Sequence, residues 1–322
     1  MKKLSLAYFG TPYFSSLFLE KLINDKELPI ELKYVVTQPD KPVGRKQIIT
    51  ASPVKVVAQN YGIKVLDSLR SLEQYYSSSQ DEEKSIDIAF LYAYGGILPK
   101  KILEYPCYGF WNTHPSLLPK YRGASPTIYP LILGDKETGV TLIKLDEEID
   151  HGPIIAQQKV EILPHECRPD LEVKLTNRAF ELFKKTLIST DFNQLKLTEQ
   201  DHAQATFTRQ LEKSDGFIPL KTLKKSLNNE PLLYEELPTV IREYLEKTED
   251  DSVKLGHVIY NLYRGLYPWP GVWTKINIKG QNKRLKITDM TLEKNTLILK
   301  KVQLEGKKEV IFETFNRVYK IF

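Results

Sequence analysis

The chain opens with an apolar run, Leu4 to Phe9, that breaks at Gly10-Thr11-Pro12, and Phe14, Leu17, Phe18 and Leu22 follow at helical spacing. A second run, Leu32 to Val36, completes what reads as the first strand-helix-strand unit of a parallel sheet. Further strands are expected around Lys64 to Leu66, over Ile86 to Tyr92, through Phe110 to His114, and over Val140 to Leu145 and Ile154 to Ile162. Ser52-Pro53 reads as an N-cap followed by proline at the first helical position. Asp170 to Leu187 predicts an amphipathic helix with Leu171, Leu175, Ala179, Leu182 and Phe183 on one face. From Val272 onward the period changes. Val272 to Ile278, Leu285 to Met290, Thr296 to Val302 and Glu309 to Thr314 are short runs between turn residues, which predicts a small antiparallel sheet or barrel.

A chain of 322 residues is long for one core, so two domains are expected: residues 1–190, a polar linker at 191–206, and residues 207–322. With 41% apolar and 27% charged residues it is globular. Two cysteines, Cys107 and Cys167, offer neither a metal set nor a disulfide framework, so no metal is expected and a reducing cytoplasm fits. The first apolar run is too short for a signal peptide, and no later stretch approaches a membrane span. The net charge of +5 is unevenly spread: Val253 to Phe322 holds 14 Lys+Arg against 5 Asp+Glu. Such a surplus points to a polyanionic partner for this part, although a solvated lysine-rich surface would look the same.

Three loops stand out. The turn after the first strand lacks the GxGxxG spacing that lets a backbone approach a pyrophosphate, which disfavours a nicotinamide cofactor. Thr37 to Ala51 is a long polar loop with three basic residues, suited to carrying charge towards a phosphate-bearing substrate. Tyr94 to Pro99 leaves its strand at the carboxyl end, where open parallel sheets bind ligands.

The densest chemistry lies in Gly109 to Pro126, GFWNTHPSLLPKYRGASP. Asn112 and His114 are two residues apart on a strand and project to the same side. Pro115 ends the strand, and Ser116 to Pro119 forms a stiff turn between two prolines. An amide and an imidazole facing a rigid loop suit a transition state that gathers negative charge on a carbonyl oxygen. The same spacing also fits a hydrogen-bonded polar pair closing a strand. Asp150 lies in the acidic connection Asp146 to Pro153 and is the carboxylate expected beside His114, though Asp before Gly-Pro is also an ordinary turn former.

These residues carry a family resemblance. Asn112-Thr113-His114-Pro115-Ser116-Leu117-Leu118-Pro119, Arg122-Gly123-Ala124-Ser125-Pro126, Thr138 to Thr141 and Asp150-His151-Gly152 resemble the 10-formyltetrahydrofolate-dependent formyltransferases. Phe9 to Phe14, the loop TQPDKPVGRK, Tyr94 to Lys100 and the C-terminal LYPWPG and VQLEGKK are similar to the branch that acts on initiator methionyl-tRNA. The resemblance implies a Rossmann-like catalytic domain followed by an OB-like barrel. It places the catalytic trio on Asn112, His114 and Asp150, and folate contacts on Ser116, Leu117, Leu118 and Pro119, beside an apolar slot that Leu98 would help to line. It places a tRNA-contacting loop on the stretch containing Arg45; holding a tRNA also needs basic groups on its phosphates, which Lys41 and Lys46 beside Arg45 and Lys300 and Lys301 in the C-terminal part would supply. The expected enzyme is a monomer that uses 10-formyltetrahydrofolate as donor and no membrane. Two departures stand out: Pro219-Leu220 replaces an Asp-Trp pair, and Lys221 to Asp251 is an additional segment.

The side chains also set expectations about charge. Asp150 within reach should raise the pKa of His114, while burial should raise that of Asp150 itself.

Overall fold

The computed structural model describes residues 3–44, 46–77, 85–230, 234–245 and 255–322. They form two compact units. The first comprises residues up to Gly123 with Thr138–Val160 and Glu172–Phe207, and the second comprises Ala124–Glu137, Glu161–Leu171 and Thr208–Phe322.

In the first unit, strands β1 (Leu4–Gly10), β2 (Ile30–Val36), β3 (Val65–Leu66), β4 (Ile88–Tyr92), β5 (Phe110–His114), β6 (Glu137–Lys144) and β7 (Ile154–Glu161) build one sheet. Its order is β7-β6-β5-β4-β1-β2-β3. β1 runs parallel to β2 and β4, β2 to β3, and β4 to β5, whereas β6 is antiparallel to β5. Helices cover both faces, so the central strands are apolar on both sides and Leu6 to Phe9 is wholly buried. Alternation sends Tyr8 and Phe90 to one face, where Phe18 stacks on Phe90 and meets Phe180 and Phe183 edge-on. Phe9 goes to the other face with Phe110 and Tyr94. The strand order reverses between β1 and β4, whose last residues Gly10 and Tyr92 are in register. Crevices for ligands open at such a switch point, and β5 lies one strand further on.

The helices follow from local signals. Ser52 caps Pro53–Asn60 by accepting from the Lys55 N–H at 3.0 Å, with Pro53 in the first turn. The helix Arg168–Ser189 buries Leu171, Leu175, Ala179 and Phe183, the expected face. Two expectations change. Thr37 to Ala51 is more than a loop, because Lys41–Val43 and Ile48–Thr50 pair as an exposed hairpin. The run Glu309 to Thr314 is a strand only to Ile311, and the helix Phe312–Tyr319 takes the rest.

The second unit carries β8 (Val272–Ile278), β9 (Gln281–Glu293), β10 (Thr296–Leu304) and β11 (Glu309–Ile311) as a four-stranded antiparallel meander. Helices Ile128–Leu133 and Leu255–Leu266 pack on each other within this unit. The additional segment supplies the helices Leu220–Leu227 and Thr239–Leu245, with Leu223 and Val240 fully buried. Of that segment, 231–233 and 246–251 lie outside the described residues. Among the described residues no helix is long and apolar enough to cross a membrane.

Candidate active site

β5 delivers Asn112 and His114 at its carboxyl end, both nearly inaccessible to solvent. The strand is short because Pro115 cannot extend it, and β6 fixes its register by pairing Asn112 with Ile143 and His114 with Thr141. Trp111 and Thr113 point to the opposite face, where Trp111 stacks on Phe192.

The connection between β6 and β7 returns Asp150 to this point. His114 Nδ1 lies 3.3 Å from Asp150 Oδ1, and the Asn112 side-chain amide donates to the same oxygen at 3.4 Å. Asp150 Oδ2 accepts from the Gly123 N–H at 2.8 Å, and His114 Nε2 donates to the Tyr121 carbonyl at 2.8 Å. The sequence-derived trio is therefore one cluster around a single carboxylate.

Two of its supporting residues, Asp150 (φ 51°) and Tyr121 (φ 61°), sit in the left-handed region that non-glycine residues rarely occupy. Gly152 is required for close approach, since a Cβ there would overlap the Lys144 carbonyl oxygen.

The electrostatics separate the two ionisable groups. Burial opposes a charged imidazole at His114, but Asp150 and the Tyr121 carbonyl outweigh it and raise the histidine pKa. Burial likewise pushes the Asp150 carboxyl up, but His114, the Gly123 N–H and Arg122 together hold it below the usual carboxylate range. The expected rise at His114 is present, whereas that at Asp150 is reversed because the expectation counted burial and missed the donors. Both shifts favour the imidazolium–carboxylate form of the pair.

The loop Ser116 to Pro119 is braced from beneath. Thr141 donates its hydroxyl to the Ser116 carbonyl at 2.7 Å and accepts from the Leu118 N–H at 3.2 Å. Gln157 donates to the Leu118 carbonyl and to the Thr141 hydroxyl. Ser116 is wholly buried with its hydroxyl on the Lys120 carbonyl, and Leu118 is buried too. These two side chains hold the loop's shape. Leu117, Pro119 and Leu98 are half-buried, so they and the loop backbone are the groups of this set that a flat ring system could reach. They fit a pterin in character, being apolar flanks on a fixed backbone.

None of the expected tRNA contacts is a member of this cluster. Lys41 and Lys46 are exposed on and beside the hairpin, and Arg45 lies outside the described residues. Lys300 and Lys301 are exposed on β10, where Lys301 pairs with Glu309 at 3.2 Å. Among the described residues no group of three or more His, Cys, Asp or Glu side chains is placed to hold a metal ion.

Sequence reasoning missed two residues that frame Asp150. The buried Gln200 donates its amide to the carbonyls of Asp150, His151 and Gly152 at 3.0, 3.0 and 2.7 Å. The guanidinium of Arg122, also buried, donates to Gln200 Oε1 through both Nε and Nη2 and to His202 Nδ1 at 2.9 Å. Both partners lie in what reads as linker, and nothing in that polar stretch marks them.

Against known proteins, residues 2–187 match the formyl transferase family and 254–298 its C-terminal domain. The methionyl-tRNA formyltransferase of Caldicellulosiruptor saccharolyticus is 32% identical, over 99% of this chain and 98% of its own length. The chain belongs to the methionyl-tRNA formyltransferase family. Fold likeness extends across formyltransferases that have other acceptors. A methionyl-tRNA formyltransferase from Clostridium thermocellum superimposes with TM-score 0.55 at 14% identity, covering 94% of this chain and 98% of that one. A 4-N formyltransferase from Francisella tularensis gives TM-score 0.58 at 16% identity, covering 88% and 96%. The architecture is thus common to formyltransferases, and sequence likeness along the whole chain separates this branch.

Proposed function

We infer that this protein transfers a formyl group from 10-formyltetrahydrofolate to the free α-amino group of initiator methionyl-tRNA, giving the N-formylated aminoacyl-tRNA used to start translation. The observation that carries this is likeness to a methionyl-tRNA formyltransferase along 99% of the chain, with Asn112, His114 and Asp150 gathered at one buried point.

10-Formyltetrahydrofolate supplies the formyl group, and Leu98, Leu117, Pro119 and the loop backbone are the residues that would hold its ring. An α-amino group has a pKa of about 7.7 to 8.0, so a useful fraction is already a free nucleophile at neutral pH. The protein's task is then to orient it and to stabilise the oxygen that becomes negative when the amine attacks. The Asn112 amide and the His114 Nδ1–H both point at Asp150 Oδ1 through contacts of 3.4 and 3.3 Å, longer than the ~2.7–2.9 Å of a charge-assisted bond. Groups held that loosely are free to turn to a stronger acceptor, and apo sites commonly show such lengths. The oxyanion is that acceptor: Asn112 donates an amide hydrogen bond, and His114 adds a proton and a positive charge. Asp150 favours the charged imidazole, and as the new C–N bond forms the amine gives up a proton; the bond between the formyl carbon and N10 of the folate then breaks and that nitrogen takes up a proton, so tetrahydrofolate leaves.

Residues 1–190 would carry this chemistry and 207–322 would be the main tRNA-binding part, with Lys41, Arg45 and Lys46 of the first and Lys300 and Lys301 of the second on the tRNA phosphates. Salt should weaken that binding steeply. The reaction's product is consumed by translation, which supports a cytoplasmic enzyme.

The test is formyl transfer by the purified protein to methionyl-tRNA, with uncharged tRNA and an amino-sugar nucleotide as parallel acceptors. Formylation of methionyl-tRNA alone is expected; transfer to the sugar in its place would keep the chemistry and reassign the acceptor. His114→Ala should lower turnover with little change in tRNA affinity.

A further inference from the structure

We propose that Gln200 is a positioning residue for this reaction: oriented by Arg122, it holds the Asp150-His151-Gly152 turn in the one conformation that aims the Asp150 carboxylate at His114 and Asn112. The proposal rests on the reading of Asp150 and His114 as the reacting pair.

Asp150 joins strands β6 and β7 with a left-handed backbone, which an aspartate tolerates but does not prefer. Its carboxylate has one firm anchor, the Gly123 N–H, while its contacts to the two side chains it serves are long. The direction of the carboxylate therefore depends on the backbone beneath it. That backbone presents three successive carbonyls to one side, and the Gln200 side-chain amide reaches all three. With only two N–H groups, that amide is fully committed to the turn. Its oxygen is equally committed, to two nitrogens of Arg122 at 3.2 and 2.7 Å. Arg122 has no acceptor of its own, so it dictates which way round the Gln200 amide sits: oxygen to the guanidinium, nitrogen to the carbonyls. A glutamine is needed here because one end must accept and the other donate.

The rest of the segment repeats the pattern. Thr198 exchanges backbone hydrogen bonds with Ile154 at the start of β7. Thr206 accepts on its hydroxyl from the Tyr121 N–H and on its carbonyl from the Arg122 N–H, and donates its own N–H to the Pro119 carbonyl. Tyr121 is the other left-handed residue, and its carbonyl fixes His114 Nε2. Residues 198–206 thus grip both strained positions that flank the pair, Asp150 through Gln200 and Tyr121 through Thr206. A stretch that reads as linker is part of the active-site frame.

The test uses Gln200→Ala and Gln200→Glu in the full-length protein, with Asp150→Asn as control. It measures kcat and KM for methionyl-tRNA, and follows the His114 ring by NMR as pH is varied. Gln200→Ala should lower kcat by on the order of 10- to 100-fold, as misplacement of a reacting group does. KM for methionyl-tRNA should barely move, and the His114 titration should fall back towards that of an ordinary imidazole. Gln200→Glu keeps the acceptor for Arg122 but removes the donor to the three carbonyls, so its kcat should fall as well; it carries the test alone should the alanine variant not fold. Wild-type kcat in Gln200→Glu, or an unchanged His114 titration in a folded Gln200→Ala, would overturn the proposal. Full turnover by Asp150→Asn would overturn instead the reading on which it rests.

Discussion

His114 Nδ1 stands 3.3 Å from Asp150 Oδ1 with both side chains buried, 5% and 13% exposed, and each group shifts the other towards its charged form. The pH dependence follows from these directions. The folded pKa of His114 is raised, so its contribution to stability is complete below the ordinary imidazole value of about 6.5 and is lost as pH rises through the folded value. That of Asp150 is depressed, so its contribution is complete above about 3.9 and is lost as pH falls through the folded value. Between those limits the pair is ionised, and activity that needs imidazolium should persist above pH 6.5 before falling on the alkaline side. Asp150→Asn should move the alkaline limb of kcat to lower pH and leave the limb set by the acceptor amine in place. NMR titration of His114 checks this directly, and an identical titration in the variant would mean that the two groups are not coupled.

Asn112 should act on the transition state alone. Its side chain contributes an amide donor and no charge, so Asn112→Ala should lower kcat by about 100- to 1000-fold, the usual loss for one oxyanion donor. KM for methionyl-tRNA should stay nearly constant. Steady-state kinetics separates the two parameters, and a loss confined to KM would take Asn112 out of the chemistry.

Local signals made most of the scaffold and the trio legible. A strand ending in Asn112-Thr113-His114 before a proline has one way to present two polar side chains, and the Asp-x-Gly element marked Asp150 among the carboxylates of the acidic connection Asp146 to Pro153. What stayed hidden depends on distance along the chain. Gln200 acts on carbonyls 48 to 50 residues away, and backbone carbonyls leave no mark in a sequence. Ser116 and Leu118 are among the folate contacts that the family resemblance implies for the Ser116 to Pro119 loop, and a resemblance does not say which way a side chain turns. The Thr141 hydroxyl beneath that loop draws its backbone in and leaves both side chains buried. The hairpin at Lys41–Val43 was obscured by Pro42, which is tolerated because this two-stranded piece is all edge.

The Asp215 to Ile218 turn is held by its side chains and its backbone together. Asp215 accepts from the Arg209 guanidinium at 2.9 and 2.7 Å and from the Glu212 N–H at 2.6 Å. A Cβ at Gly216 would overlap the Gly271 carbonyl oxygen, and the Ile218 N–H donates to the Trp273 carbonyl at 2.8 Å, stitching the turn to β8. Burial raises the Asp215 carboxyl pKa, but Arg209 and the Glu212 N–H more than offset this and lower it. Asp215→Ala should therefore destabilise the second unit by about 1.5–3 kcal/mol, the range for hydrogen bonds to a charged group. Because the folded pKa is depressed, the difference from wild type should be full above about pH 4 and shrink as acid protonates the carboxylate. Urea unfolding at pH 7 and at pH 3 measures both, and a pH-independent difference would show that packing, not charge, is what the variant loses.

Lys300 and Lys301 should not contribute equally to tRNA binding. The pairing of β9 with β10 shifts register between Asp289 and Met290, opposite Lys301 and Leu299, so Lys300 falls in the bulge and both lysines are exposed although adjacent. Lys301 already faces Glu309 at 3.2 Å, and an exposed pair of this kind is weak and screened by salt. A phosphate could displace that carboxylate, but Glu309 would remain nearby and repel it. Lys300→Ala should thus flatten the dependence of log affinity on log salt by about 0.7–0.9, the value of one lost phosphate contact. Lys301→Ala should flatten it less, and Glu309→Gln should tighten binding at low salt. Fluorescence titration of labelled tRNA between low and moderate salt provides the slopes. Equal slopes in wild type and Lys300→Ala would remove this face of β10 from the phosphate contacts and leave the hairpin around Lys41 and Lys46 as the place to look.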